Sequence, residues 1–464
     1  MARTLAALLP HVKDDPTRII DPGLFNEAAA SLEAPNQLEL FGPARRRRLL
    51  TPLMVVTATI VQALHANTAL NDLARKTGIH ATASAFCRAR KRVPLELFEA
   101  LATRMAYGLI ERVDDVGRWH GWRVFVLDGT SLSMPDTSQN ATHFGKPHAS
   151  GTRRPLFPVA HLLGMVDLHT GMITRLCVHR FNTHDMHACP TMHADLVGPG
   201  DLLLADRAFG GLVHLAAVMV QGIDAVFRVT EQGQPGGKTR GRGRQTRMPR
   251  LRGAVTLEIV EDRVVTLPLP KRCPGWLDPA LFDQLSDKLT FRRVVYTLSA
   301  GGYRSRRVCL HTSVRAASGV TAEDLAALYL RRWDIEVHFR AYKRTLGAAV
   351  LKGRTPDVVQ KEVWGYTMAY NLVRAAAVDA SVRRGVPVDR ISFTDCWRRL
   401  RQALTPAVSL LGGLNDVAVN PINPRHWEPR VRKRSPPNYR LMTRPRSAYF
   451  LQPSAETEVE KQAA

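Results

Sequence analysis

The rhythm of apolar positions changes twice along this chain. Up to about residue 115 they recur at helical spacing, in runs such as Leu49 to Leu64 and Leu95 to Ile110, with polar turns between. Between those runs, Ala69 to Arg92 predicts a helix, a turn at Gly78 and a second helix carrying Arg88, Arg90, Lys91 and Arg92. From about residue 120 the apolar runs shorten to strand length. Arg123-Val-Phe-Val-Leu-Asp128 reads as a buried strand ending in an acid, and Asp201-Leu-Leu-Leu-Ala-Asp206 as a second. Val159 to Leu168 and Met172 to Phe181 flank His169-Thr170-Gly171 as a hairpin. Met186 to Leu196 and Gly211 to Gly222 read as helices, and Asp224 to Val229 as another strand.

The second change begins near residue 230. Gln232 to Gly253 is rich in glycine and arginine and predicts a loop; the strand-like runs Ala254 to Leu269 and Lys288 to Thr312 follow. Helical spacing returns after Thr321-Ala-Glu-Asp324, a capping-box pattern. It continues through Val358 to Arg384 and Phe393 to Leu404. Beyond Asn420 the chain is rich in proline and arginine, with Arg430-Val-Arg-Lys-Arg434 at its centre. Strands and helices mixed in this order predict an α/β core with a mixed sheet.

Charge narrows the class of partner. The 464 residues carry a formal net charge of +24. A polyanion, nucleic acid above all, is the simplest reading. The helix pair ending in Arg88 to Arg92 would suit a major groove, or stand as an ordinary helical hairpin with a solvated end. Arg45 to Arg48, the arginine-rich loop and the basic tail would lie along phosphates or serve as solvated linkers. No apolar run is long enough to span a bilayer, and Met1 to Asp14 lacks a cleavage pattern. The six cysteines include no CxxC pair, so a reducing, cytoplasmic setting is expected. His184, His187, Cys189 and His193 have ligand-like chemistry, but His187 and His193 share a helical face poorly, and a solvated surface is expected.

Chemistry concentrates at three acids and one helical stripe. Asp128 and Asp206 would meet if their strands were neighbours. Close carboxylates raise each other's pKa unless a cation lies between them. Each also has a local reading, Asp128 as a turn residue before Gly129 and Asp206 as a partner of Arg207. Tyr329, Arg332, Glu336 and Lys343 fall on a narrow arc if their segment is one helix. That arc offers a carboxylate for a divalent ion beside two cations and a phenol for phosphate oxygens. Asp334 would point to the other side.

Leu127-Asp-Gly-Thr-Ser-Leu-Ser-Met-Pro-Asp-Thr137 with Phe144-Gly145, Gly200-Asp-Leu-Leu-Leu-Ala-Asp-Arg-Ala-Phe209, and the Tyr329, Arg332, Glu336, Lys343 spacing together resemble the DDE transposases of the bacterial IS-four family. The resemblance implies a ribonuclease H-like mixed-sheet catalytic core with a β-rich insertion, flanked by helical N- and C-terminal regions. The expected divisions are a DNA-binding region over 1–118, the core over 119–229 and 321–350, the insertion over 230–320, a helical region over 351–420 and a basic tail over 421–464. It implies Asp128, Asp206 and Glu336 as catalytic ligands of Mg²⁺, with Mn²⁺ as a substitute. Tyr329, Arg332 and Lys343 would hold DNA phosphate. It further implies cut-and-paste transposition with its own terminal inverted repeats, target DNA and a second copy of the chain as partners. If hairpins form, a flipped base needs an aromatic platform, for which Trp276, Tyr303 and Trp333 are candidates. The alternatives are a transposase-derived DNA-binding protein without catalysis, and a nuclease that cuts without joining.

Overall fold

The structure, a computed structural model, describes residues 22–32, 50–77, 79, 81–113, 117–147, 157–188, 198–230, 255–300, 306–403 and 419. The turn at Gly78, Arg45 to Arg48, the arginine-rich loop, Tyr303 and the tail after 420 lie outside these residues, as do Cys189 and His193.

Among the described residues, eight strands form one sheet: β1 (Arg123–Ser133), β2 (Val159–Asp167), β3 (Ile173–Arg180), β4 (Asp201–Ala205), β5 (Asp224–Val229), β6 (Val255–Pro268), β7 (Lys288–Ala300) and β8 (Arg306–Thr312). Their order is β3-β2-β1-β4-β5-β8-β7-β6. β1, β4 and β5 are parallel, while β2 runs against both β1 and β3. The first five strands thus have the ribonuclease H-like order and directions. The strands after residue 254 do not form a separate layer: β8 pairs antiparallel with β5, and β7 and β6 extend the same sheet.

The continuous apolar run of β1 reflects burial on both faces. Val124 and Val126 enter one core, Phe125 and Leu127 the other. Helix α1 (Pro22–Ala30) is followed by α2 (Pro52–Leu64), α3 (Leu70–Thr77), α4 (Ala83–Arg92) and α5 (Leu95–Ile110). After β1 comes the short α6 (Ser138–Phe144), then α7 (Asp185–Ala188), α8 (Leu212–Val220) and α9 (Pro279–Phe282). The chain then builds α10 (Ala322–Arg331), α11 (Asp334–Arg340), α12 (Pro356–Arg384) and α13 (Phe393–Ala403). The capping box at Thr321 and Asp324 is present in full.

Helix α12 has no separate polar face because it is buried nearly all round, packing on α2, α5 and α13. Its polar groups fasten it to its surroundings. Asn371 brackets the backbone of Ile173, its Oδ1 accepting from the N–H at 3.0 Å and its Nδ2 donating to the carbonyl at 2.9 Å. Glu362 accepts from the Lys352 and Gly353 N–H groups and from Asn67 Nδ2. This buried carboxylate therefore joins α12, the 352–353 segment and the N-terminal helices. Burial pushes its pKa up, and these hydrogen bonds offset part of that.

Candidate active site

Asp128 does not end its strand. β1 continues to Ser133, and the acid sits mid-strand opposite Gly164 of β2. What ends there is β4. The parallel register pairs Leu127 with Ala205, the last residue of β4. One step further, Asp128 and Asp206 stand side by side. The backbone fixes each: Asp128 Oδ1 accepts from Gly129 N–H at 2.9 Å, and Asp206 Oδ1 from Ala208 N–H at 2.7 Å.

Glu336 arrives from α11 on the face that carries Asp128. Gly164 permits this approach, because a Cβ there would lie 2.7 Å from Phe339 Cζ. The segment from Tyr329 to Lys343 is not one helix, as the arc of side chains had assumed. It breaks at Arg332 and Trp333, where bonds to the third residue back replace the regular ladder, and it closes in a π-turn over Ala341–Thr345. The break turns Arg332 inward to 8% exposure. Its Nη1 lies 3.5 Å from Asp128 Oδ2 and its Nη2 3.4 Å from Glu336 Oε1. Lys343 Nζ donates to Thr130 Oγ1 at 2.8 Å, two residues beyond Asp128. Tyr329 is 2% exposed, packed below Arg332. Burial pushes its hydroxyl up to about 12 against the pull of Arg332 and Arg228.

Burial raises the Asp128 carboxyl to about 7; Arg332 opposes this, and Asp206 and Glu336 add to it. Burial alone would lower the Arg332 pKa, but Tyr329, Asp128, Asp206 and Glu336 together hold it above its usual value. The three acids therefore share one electrostatic field. As the side chains stand, no three His, Cys, Asp or Glu among the described residues close on one point, and Arg332 lies between Asp128 and Glu336. The donor chemistry still suits a hard dication: the ligands are all oxygen, and the mutual repulsion is one that a divalent charge relieves.

Two features at the site carried no signal of their own in the sequence. His161 Nε2 and Asp185 Oδ1 are 2.5 Å apart and press on the far side of Gly129, whose Cβ, if present, would lie 2.8 Å from that Asp185 oxygen. Arg228 of β5 supports Tyr329 from a strand that is otherwise largely apolar, and no spacing in the sequence links the two. Asp334 turns instead to Arg331 at 3.6 Å. Trp276 packs against the core and meets the His214 ring edge-on at 5.9 Å, and Trp333 lies beside the Arg332 guanidinium. His184 Nδ1 accepts from the Met186 N–H.

Residues 119–372, which include all three acids and the whole Tyr329 to Lys343 segment, match the family described as the transposase DDE domain. The chain belongs to the DDE transposase family. A relative from Escherichia coli (strain K12), "Transposase InsG for insertion sequence element IS4", is 25% identical over 382 residues, covering 78% of each protein. Together with the family match, it places this DDE transposase in the IS-four group. Among solved structures, a piggyBac transposase synaptic complex with hairpin DNA matches with a TM-score of 0.40 and 11% identity, covering 88% of this chain and 86% of that one. No helix among the described residues is long and apolar enough to cross a membrane.

Proposed function

We propose that this transposase cuts its own insertion sequence from DNA and joins the freed ends to a target. The observation that carries the reading is the parallel register of β1 and β4, which sets Asp128 beside Asp206 with Glu336 across Arg332. Asp128, Asp206 and Glu336 would hold divalent cations, Mg²⁺ with Mn²⁺ as a substitute. Bound there, the cations supply activation of water or a 3′-hydroxyl and stabilisation of the leaving oxygen.

The chain's own residues bind and orient the DNA. Arg332 and Lys343 offer planar and point-charge donors to the phosphate oxygens flanking the scissile bond. Tyr329 acts from beneath, its buried ring packed below Arg332. The +24 net charge favours association with DNA. The basic helix α4, with Arg88, Lys91 and Arg92, gives the N-terminal region a second contact. Joining two ends at one target calls for a second copy of the chain, so the working unit is a homodimer on DNA.

The test uses DNA carrying the flanking ends of the gene and a supercoiled target plasmid. Joined products dependent on Mg²⁺ are expected. Nicks without joining would make the chain a nuclease. Tight binding with no cleavage would make it a DNA-binding descendant of a transposase.

A further inference from the structure

Beyond Asp128, β1 runs on to Ser133 and the chain turns into α6. An open cleft of about 590 Å³ lies here, lined by Ser138, Gln139, Thr142, His143, Arg180 and Pro356. Five of these side chains can donate hydrogen bonds, and none is a carboxylate. Arg180 ends β3 and is exposed; among the described residues it forms no ion pair. Gly145, at φ +79°, leaves it room: a Cβ there would meet Arg180 Nε at 3.3 Å. Pro356 opens the 29-residue α12, whose N-cap Thr355 makes no side-chain capping bond. The first N–H groups of a long helix therefore go uncapped beside the cleft. The two acids nearest in sequence are already neutralised, Asp136 by Lys146 and Asp357 by Lys361, each at 2.7 Å.

The cleft is joined rigidly to the carboxylate site. Ser133 N–H donates to Ala349 O at 3.2 Å, and Leu351 N–H donates to Ser133 O at 2.8 Å. Thr137 Oγ1 donates to Arg354 O at 2.9 Å, and Asn140 Nδ2 to Gly353 O at 3.0 Å. From Asp128 to Ser133 the strand covers about 17 Å. Lys343 sits on Thr130 along the way. Arg332 and Lys343 lie along β1, and Arg180 lies two strands to the side, level with Leu132 through Ala160 of β2. At about 3.4 Å per nucleotide, the cleft lies roughly five to eight nucleotides from the acids.

We propose that this cleft holds one backbone phosphodiester of the DNA strand leaving the carboxylate site. The inference rests on the transposase reading, but binding alone tests it, without cleavage. Affinity of the full chain for its end DNA is measured across salt concentrations, without divalent ions. Arg180→Ala should weaken binding roughly tenfold and make the salt slope shallower by about one, and Arg180→Lys should restore the slope. Gln139→Glu, on the exposed face of α6, adds a repelling charge without disturbing the core and should weaken binding likewise. A single neutral methylphosphonate, moved along the strand, should weaken wild type at one position roughly five to eight nucleotides from the cut, and leave Arg180→Ala unaffected there. Unchanged affinity and slope in both variants, or methylphosphonate effects that simply add to Arg180→Ala, would overturn the proposal. So would inorganic phosphate that protects wild type, but not Arg180→Ala, from thermal unfolding while DNA affinity is equal in the two, since the cleft would then take a free anion. A failure of the transposase reading looks different: wild type binds its ends but makes no metal-dependent product.

Discussion

Arg332 faces Asp128 at 3.5 Å with the same guanidinium that reaches Glu336 at 3.4 Å, so one cation spans two of the three acids. Removing it should leave Asp128 and Asp206 in place, because they are held by strand register and backbone bonds, and Glu336 on its helix. Arg332→Ala is expected to retain metal binding and first-strand nicking while second-strand product falls roughly tenfold or more. A gel that separates nicked from fully cut DNA checks this. Normal second-strand product would refute the phosphate-holding role.

Gly164 sets how closely α11 approaches the sheet. In Gly164→Ala the new methyl meets Phe339, and Phe339 shares a helix with Glu336. A stability loss of about 1–3 kcal/mol is expected, as for overpacking elsewhere. Cleavage should fall further than that loss explains, because Glu336 moves with the helix. Urea melts beside cleavage rates at saturating DNA separate the two effects.

These two sites also mark where sequence legibility ended. The boundaries of β4 and β5 were readable because their apolar runs stop where burial stops, whereas β1 runs on past Asp128 to Ser133 through residues of mixed burial, so its end was not. The capping box was readable because it is local. The register of β1 on β4 is a tertiary fact; the sequence could only suppose that the two strands were neighbours. The break at Arg332 was hidden for another reason. Residues 322–340 keep helical spacing throughout, and only the inward turn of Arg332 toward Asp128 interrupts the ladder. The His161–Asp185 contact joins residues on a strand and a short helix, and no spacing rule links them.

His214 makes stability depend on pH away from the site. It is buried, stacks on Phe227 at 4.7 Å, and its Nδ1 lies 2.8 Å from Phe209 O. Burial lowers its pKa to about 4, and the carbonyl offsets part of this. The unfolded chain thus takes up this proton near pH 6.5, before the folded chain does. Stability is full above pH 6.5 and falls as pH drops toward 4, by about 3 kcal/mol. Urea unfolding at pH 8, 6.5 and 5 should show the decline, and His214→Phe should make it shallower, leaving the share of His65 and His311, which burial also lowers.

Glu362 ties the N-terminal helices to the core through acceptor oxygens alone. In Glu362→Gln an amide NH₂ would face backbone N–H groups of Lys352 and Gly353, donor against donor. A loss of about 1–3 kcal/mol is expected. Limited proteolysis should then release the helices before residue 113 sooner than in wild type. Equal protection of both proteins would show that the clamp is dispensable.

The most direct test of the central claim compares wild type with Asp128→Asn, Asp206→Asn and Glu336→Gln in nicking of end DNA, with Mg²⁺ and then Mn²⁺. The account predicts metal-dependent nicks from wild type alone, with all four proteins binding the DNA equally well. Nicking by any one variant at the wild-type rate would contradict a single site built from these three acids.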